Sequence, residues 1–199
     1  DSVGAYGLKI FGPLGKLILT VYASDVILVL LMYIPMVALL AKFPVKKWLQ
    51  GIWKVWVVTA STTSSSGSLP ITTSVTNDEF GVSSELSSFS LPLGATINMN
   101  GGCIYYAAAI VMTAKIYGMN LTPSALVNII ISTVLVAMGC PGVPGGAIIM
   151  TTILLTNMGL PLEIVGLIAG IFRLIDMANT TFNVTGDVVT SAETNTKAS

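Results

Sequence analysis

The chain has 199 residues, 53% hydrophobic and 9% charged, with nine basic residues balancing nine acidic ones. A soluble domain carries about 25% charged residues, so this composition fits a bilayer interior, and the neutral balance removes the case for a nucleic-acid surface. Histidine is absent and Cys103 and Cys140 are the only cysteines, which excludes His-based catalysis, His metal sites and a zinc motif.

The opening stretch "DSVGAYGLKIFGPL" has neither a basic start nor a small-residue cleavage site, so it reads as a cut into a longer protein, not a signal peptide. A first apolar span runs from Leu17 to Ala41, interrupted only by Asp25, and is long enough for about 30 Å of hydrocarbon. Lys42, Lys46, Lys47 and Lys54 follow it, the densest basic cluster of the chain, which the positive-inside rule assigns to the cytoplasm. Residues 1–45 are therefore a transmembrane helix and a cytoplasmic link.

Residues 46–87 hold "VWVVTASTTSSSGSLPITTSV", uncharged and hydroxyl-rich at its centre. Each apolar arm is about ten residues, too short to span alone, so the segment is expected to be a re-entrant hairpin. Residues 88–120 carry a spanning segment, Leu91 to Ile116, broken by "ATINMNGG". Residues 121–160 repeat the hairpin pattern around "MGCPGVPGGA", whose prolines and glycines cannot stay helical. Residues 161–199 hold the last spanning helix and a polar tail. Hairpin plus interrupted helix thus occurs twice in opposite sense, an all-α inverted repeat. Non-helical backbone at membrane depth is tolerated only where it is buried in protein or lines a cavity, and two facing tips near the midplane are a transporter layout.

In the last helix Asp176, Asn179, Asn183 and Asp187 fall within about 80° of one another, on one stripe. A carboxylate at membrane depth needs a partner. Arg173 is one turn from Asp176, but about 21 Å of helix separates it from Asp187. A bound hard cation, held by this carboxylate with amide and carbonyl oxygens of Asn98 and its neighbours, is the economical partner for Asp187. A second reading puts Asp187 in solvent near the helix end. Asp176 suits a cationic amine, or else a local ion pair with Arg173. Asn179 and Asn183 suit ligand binding or interhelical hydrogen bonding. The cysteines read as packing residues. With no paired acids, Ser–Lys arrangement or cofactor loop at spanning depth, neither an enzyme nor a cofactor is expected.

"TSSSGSLPITTSV", "LPLGATINMNGG", "GVPGGAIIM" and "NVTGD" stand in this order and spacing. The chain thereby resembles the C-terminal part of the dicarboxylate/amino acid:cation symporter family, over roughly residues 14–195. The resemblance implies a multi-pass cell-membrane protein in contact with lipid, and a homotrimer built through helices absent from this chain. It also implies an elevator-like movement of a core whose outer hairpin is the lid. Backbone groups around Thr63, Ser65 and Val143 would hold the solute α-carboxylate, with Asn183 beside it and Asp176 on the α-amino group. One cation, Na⁺ or alternatively H⁺, would use carbonyls of Gly94, Asn98 and Asn183 with the Asp187 carboxylate. A second would use carbonyls at Thr96 and along Ala137, Met138 and Cys140.

Three departures from the family pattern bear on substrate. Asn100 replaces a carboxylate that helps a third cation, and Gly102 replaces a threonine near the solute side chain. Asn179 stands where acidic-substrate members carry an arginine. Thr63 also lacks an arginine that some members have, and Arg173 would substitute only by reaching the solute. An amide cannot replace a bidentate guanidinium clamp, so a small neutral amino acid is the expected solute and an acidic one the alternative. Gly101 and Gly102 are expected to permit the unwound backbone. A passive channel and a non-transporting membrane fragment are the competing classes.

Overall fold

A computed structural model describes residues 11–198; the stretch read above as a cut lies, through residue 10, outside the described residues. The regular elements among the described residues are all helical. They are α1 (Phe11–Leu28), prolonged by π-helical turns Val29–Tyr33 and Met36–Leu40, then α2 (Val45–Thr62), α3 (Leu69–Asp78), α4 (Ser84–Ile97), α5 (Asn100–Ile116), α6 (Pro123–Ala137), α7 (Gly146–Asn157) and α8 (Glu163–Ala198). Phe11–Leu40 and Glu163–Lys197 are long and apolar enough to cross a membrane.

The π turns of the first span have a packing reason. Its buried positions are Leu14, Leu17, Val21, Asp25, Val29, Tyr33, Val37 and Ala41, mostly four apart. In an α-helix such a stripe drifts by about 40° per step, and would spiral off the contact face. The wider π turns, with their i→i+5 bonds, counter that drift and keep Val29 to Ala41 turned inward.

Helix α8 is the spine, and hydrogen bonds along it fix the direction of its neighbours. Helix α1 runs parallel: Tyr22 Oη donates to Leu174 O (2.8 Å) and Tyr33 Oη to Phe182 O (3.0 Å). Helix α2 runs antiparallel, with Trp56 Nε1 donating to Thr185 Oγ1 (2.8 Å) and the Thr59 and Thr181 hydroxyls 3.0 Å apart. The α4–α5 pair is antiparallel too, from the Ser90–Ser191 hydroxyl pair (2.8 Å) to Gly101 N–H on Asn183 Oδ1 (2.8 Å). Bonds of this kind and close van der Waals packing are what hold helices together where lipid supplies no hydrophobic drive.

Helices α2–α3 and α6–α7 form the two hairpins. The first climbs from the C-terminal half of α8, while the second is joined to the start of α8 by the link 158–162, so they enter from opposite ends. Their tips meet: Ser64 Oγ donates to Gly142 O (2.9 Å) and Ser66 N–H to the same oxygen (3.1 Å). Pro92 lies inside α4, and the chain unwinds just beyond that helix, at Asn98 (φ −99°, ψ 81°) and Met99 (φ −108°, ψ 55°). The counterpart in the second unit differs: α8 runs unbroken from Glu163 to Ala198, because no proline interrupts its i→i−4 ladder.

Candidate functional site

The first tip is built by its own hydroxyls. Ser64 Oγ accepts from Gly67 N–H (3.0 Å), Ser68 Oγ donates to Ser64 O (2.8 Å), and the Thr62 and Ser68 hydroxyls lie 3.0 Å apart. Ser and Thr side chains of this kind give the backbone an alternative to the helical ladder, which is why "TTSSSGS" can turn while packed against the second tip. Thr63 takes a left-handed φ of 50° to end α2.

Thr63, Ser65, Gly102, Val143, Asp176, Asn179 and Asn183 all line one pocket between the tips and α8, with Cys140 and Met99 beside them. The Thr63 N–H is bonded to Thr59 O (2.8 Å) and the Val143 N–H to Pro141 O (2.8 Å), so in this conformation neither points at a ligand. Asp176 accepts from Gly145 N–H (3.3 Å), which ties the second tip to the stripe. Asn179 is 2% exposed and neither of its amide atoms has a hydrogen-bond partner. A buried amide left this way is costly, so it is the strongest local indication of a ligand.

Arg173 does not pair with Asp176. Its Nη1 donates to Thr63 Oγ1 (2.5 Å) and its Nη2 to Ser61 O (2.6 Å), because the end of α2 offers it two acceptors at once. The guanidinium therefore anchors the first hairpin, a role with no signal in the spacing along α8.

Behind the pocket, the Asp187 carboxylate is 4% exposed, so the reading of it as a solvent residue fails. Asn98 Nδ2 donates to Asp187 Oδ1 (2.7 Å) and to Asn183 O (3.3 Å), while Asn98 N–H donates to Gly94 O (2.8 Å). Gly94, Asn98, Asn183 and Asp187 are thus one group, and among the described residues no basic side chain is bonded to it. Its donor set, one carboxylate with carbonyl oxygens, fits a hard monovalent cation. The Asn98 amide nitrogen already sits between two oxygens that such an ion would use. A Cβ on Gly94 would strike the Asp187 carboxylate, so glycine is what lets the acid lie against α4.

The glycines after the break have a different job from the one expected. Gly101 and Gly102 are inside α5, and the unwound residues are Asn98 and Met99. Gly101 instead lets α5 close on α8, since a Cβ there would lie 2.7 Å from Asn179 O. Asn100 leaves the pocket and donates to Tyr33 Oη (2.9 Å). Thr96 caps nothing in the pocket; its hydroxyl donates to Leu93 O (2.7 Å), while neighbouring Ala95 O abuts Gly142. Ala137 is buried and Met138 half exposed at the end of α6, and neither lines the pocket. Both cysteines are free thiols.

Sequence reasoning passed over Met99 and Tyr33. Met99 lines the pocket and its Sδ lies 3.2 Å from Asn183 Nδ2; its place between two asparagines in a broken helix was the available signal. Tyr33 had none, since its role depends on α1 lying beside α5.

Comparison with known proteins supplies the lineage. The sequence profile of the sodium:dicarboxylate symporter family matches residues 1–196. An excitatory amino acid transporter of Caenorhabditis elegans is 35% identical over 71% of this chain and 28% of its own length. Excitatory amino acid transporter 2 of Mus musculus is 34% identical over 69% of the chain and 24% of its own. The proton/glutamate-aspartate symporter of Bacillus subtilis is 30% identical over 94% of the chain and 45% of its own. The chain therefore spans less than half the length of these relatives. With a family profile covering nearly all of it, and a fold that sets two hairpin tips against a polar helix stripe, the chain belongs to the sodium:dicarboxylate symporter family.

Proposed function

We propose that this chain is the solute-carrying part of a cation-coupled secondary transporter in the cell membrane, moving a small neutral amino acid with Na⁺ by an elevator-like exchange of access. The observation that carries it is the meeting of the tips over Asn179, a buried amide neither of whose polar atoms has a hydrogen-bond partner. Asp176, held at 3.3 Å by Gly145 N–H, offers its remaining lone pairs to an ammonium group. Closing the second tip over an amine and opening it again on the other side would couple occupancy to access. A cation at Gly94, Asn98, Asn183 and Asp187 would draw Asn98 away from the acid and reorganise the break beside the pocket. The trimer, through helices outside this chain, belongs to the same proposal.

The neutral solute follows from Asn179. Its amide presents one acceptor and two donors. A hydroxyl or amide side chain satisfies both kinds of atom, whereas a carboxylate would leave Asn179 Oδ1 facing a second negative charge. An acidic solute is the second reading. The named relatives transport glutamate or aspartate, or are called excitatory amino acid transporters, and Arg173 already reaches Thr63 at the pocket rim.

Uptake of a panel of radiolabelled amino acids by the full-length protein in liposomes tests this, with Na⁺ present, replaced by choline, or replaced by a proton gradient. Saturable accumulation of a neutral amino acid that collapses in choline is expected. Uptake restricted to aspartate and glutamate selects the second reading. Flux that never accumulates against a gradient would sink both in favour of a channel.

A further inference from the structure

Asp25 has no part in the pocket or the cation group, yet it is the one ionisable carboxyl on the inward stripe of α1, between Val21 and Val29. It is fully buried within the described residues, and neither carboxyl oxygen has a hydrogen-bond partner. An ionised carboxylate so placed is untenable unless something supplies a positive charge.

No side chain does. Helix α1 packs on α5 and α8, and the charged and titratable groups of all three are otherwise engaged or remote. On α1, Tyr22 and Tyr33 donate to backbone oxygens of α8. Lys16 lies beyond two helical turns, in a groove it shares with Lys115 of α5. Elsewhere on α5, Cys103 points at Thr133 O, Tyr105 Oη accepts from Thr151, and Tyr106 faces Cys140 at the pocket. On α8, Arg173 is spent on α2, Asp176 on Gly145 and Asp187 on Asn98.

Two occupants remain. An alkali cation needs oxygens on several sides, and among the described residues no cluster of carboxylate, histidine or cysteine side chains gathers around Asp25. A proton needs a single oxygen. We infer that Asp25 is a proton-carrying site, separate from the Asp187 group, and that its proton travels with the solute. This rests on the transport reading. An Asp25 oxygen takes a proton from water on one face, the O–H bond carries it as a neutral carboxyl, and that bond breaks to water on the other face. This step moves one positive charge per cycle in addition to that of the coupled Na⁺, and no other reactant is consumed. Tyr33, two steps further along the same stripe, donates to Phe182 O and accepts from Asn100 Nδ2.

The test uses full-length protein in liposomes loaded with a pH-sensitive dye, supplied with whichever labelled amino acid of the panel accumulates best. Wild type should acidify the lumen in step with uptake. Asp25→Asn, which has no titratable oxygen, should abolish the protons moved per solute, and Asp25→Glu should keep them. Proton movement that persists in Asp25→Asn overturns the inference, as does wild-type uptake without acidification. Infrared spectra of the same protein give a second readout: a protonated-carboxyl band, shifted in heavy water, should be present in wild type and missing in Asp25→Asn. An unchanged band in the variant, or none in wild type, overturns the inference even if no variant transports. Wild type that transports no amino acid but shows the band counts against the transport reading alone.

Discussion

Replacing Gly94 with alanine tests the cation group with one methyl. A Cβ at this position would come to 2.6 Å from Asp187 Cγ and 3.1 Å from its Cβ, and nearer still to Oδ1. Comfortable carbon contacts lie at about 3.5–4.0 Å, so the carboxylate must retreat by about 1 Å from α4. Alanine is the better helix former by about 0.8–1.0 kcal/mol, so backbone preference favours the variant and any loss is steric. Overpacking of this kind costs about 1–3 kcal/mol. If that strain must be met again when Asp187 closes on a cation, apparent cation affinity falls by about 5- to 150-fold at 1.4 kcal/mol per tenfold. The assay is initial uptake by the full-length protein against Na⁺ concentration, followed by substrate titration at saturating Na⁺. A large rise in half-saturating Na⁺ with a small change in substrate affinity is expected. Unaltered Na⁺ dependence in a folded, transporting variant would refute the assignment of Asp187 and Gly94 to one cation site.

The other expectations are simpler. Asp187→Asn keeps the shape of the acid and removes its charge, so cation dependence of uptake should weaken, and an unchanged Na⁺ requirement would place the ion elsewhere. Asn179→Arg puts a guanidinium on the pocket wall and should move preference toward aspartate or glutamate in the same panel; a profile still confined to neutral solutes would remove the substrate argument. Ser64→Ala deletes the hydroxyl that donates to Gly142 O and accepts from Gly67 N–H. At about 0.5–1.5 kcal/mol per bond, the tips should part more often, read as faster hydrogen exchange at residues 64–68, and equal protection would mean the tip contact is idle.

How much of this was legible depended on whether a feature is local. The hairpins and the break could be read because proline, glycine and serine runs interrupt apolar periodicity within a few residues. The α8 stripe was legible because helical spacing alone puts Asp176, Asn179, Asn183 and Asp187 together. What escaped was set by neighbours distant in sequence. Arg173 looked like a partner for Asp176, since only one turn separates them, yet Ser61 O and Thr63 Oγ1 outcompete it from α2. Gly101 looked like a flexible joint, but the distance to Asn179 O shows that it serves close packing. Asp25 read as a lone polar interruption, because its burial depends on α5 and α8 together.

The continuity of α8 has a physical reason that joins these observations. A site for a zwitterion and a cation needs side chains at fixed separations and also backbone groups freed from their own ladders. One segment cannot supply both, since unwinding it would scatter its side chains. In this chain the two duties fall on different elements. Helix α8 keeps every intrahelical bond across the site and presents carboxylates and amides from a rigid stripe, while α4–α5 and the two tips give up helical bonds and present backbone. The residues of close approach, Gly94 and Gly101, are accordingly on the broken partner, where a missing side chain admits the groups of α8. A break engineered into α8, such as Val184→Pro, should therefore abolish solute and cation binding together, whereas damage at either tip should impair access before affinity.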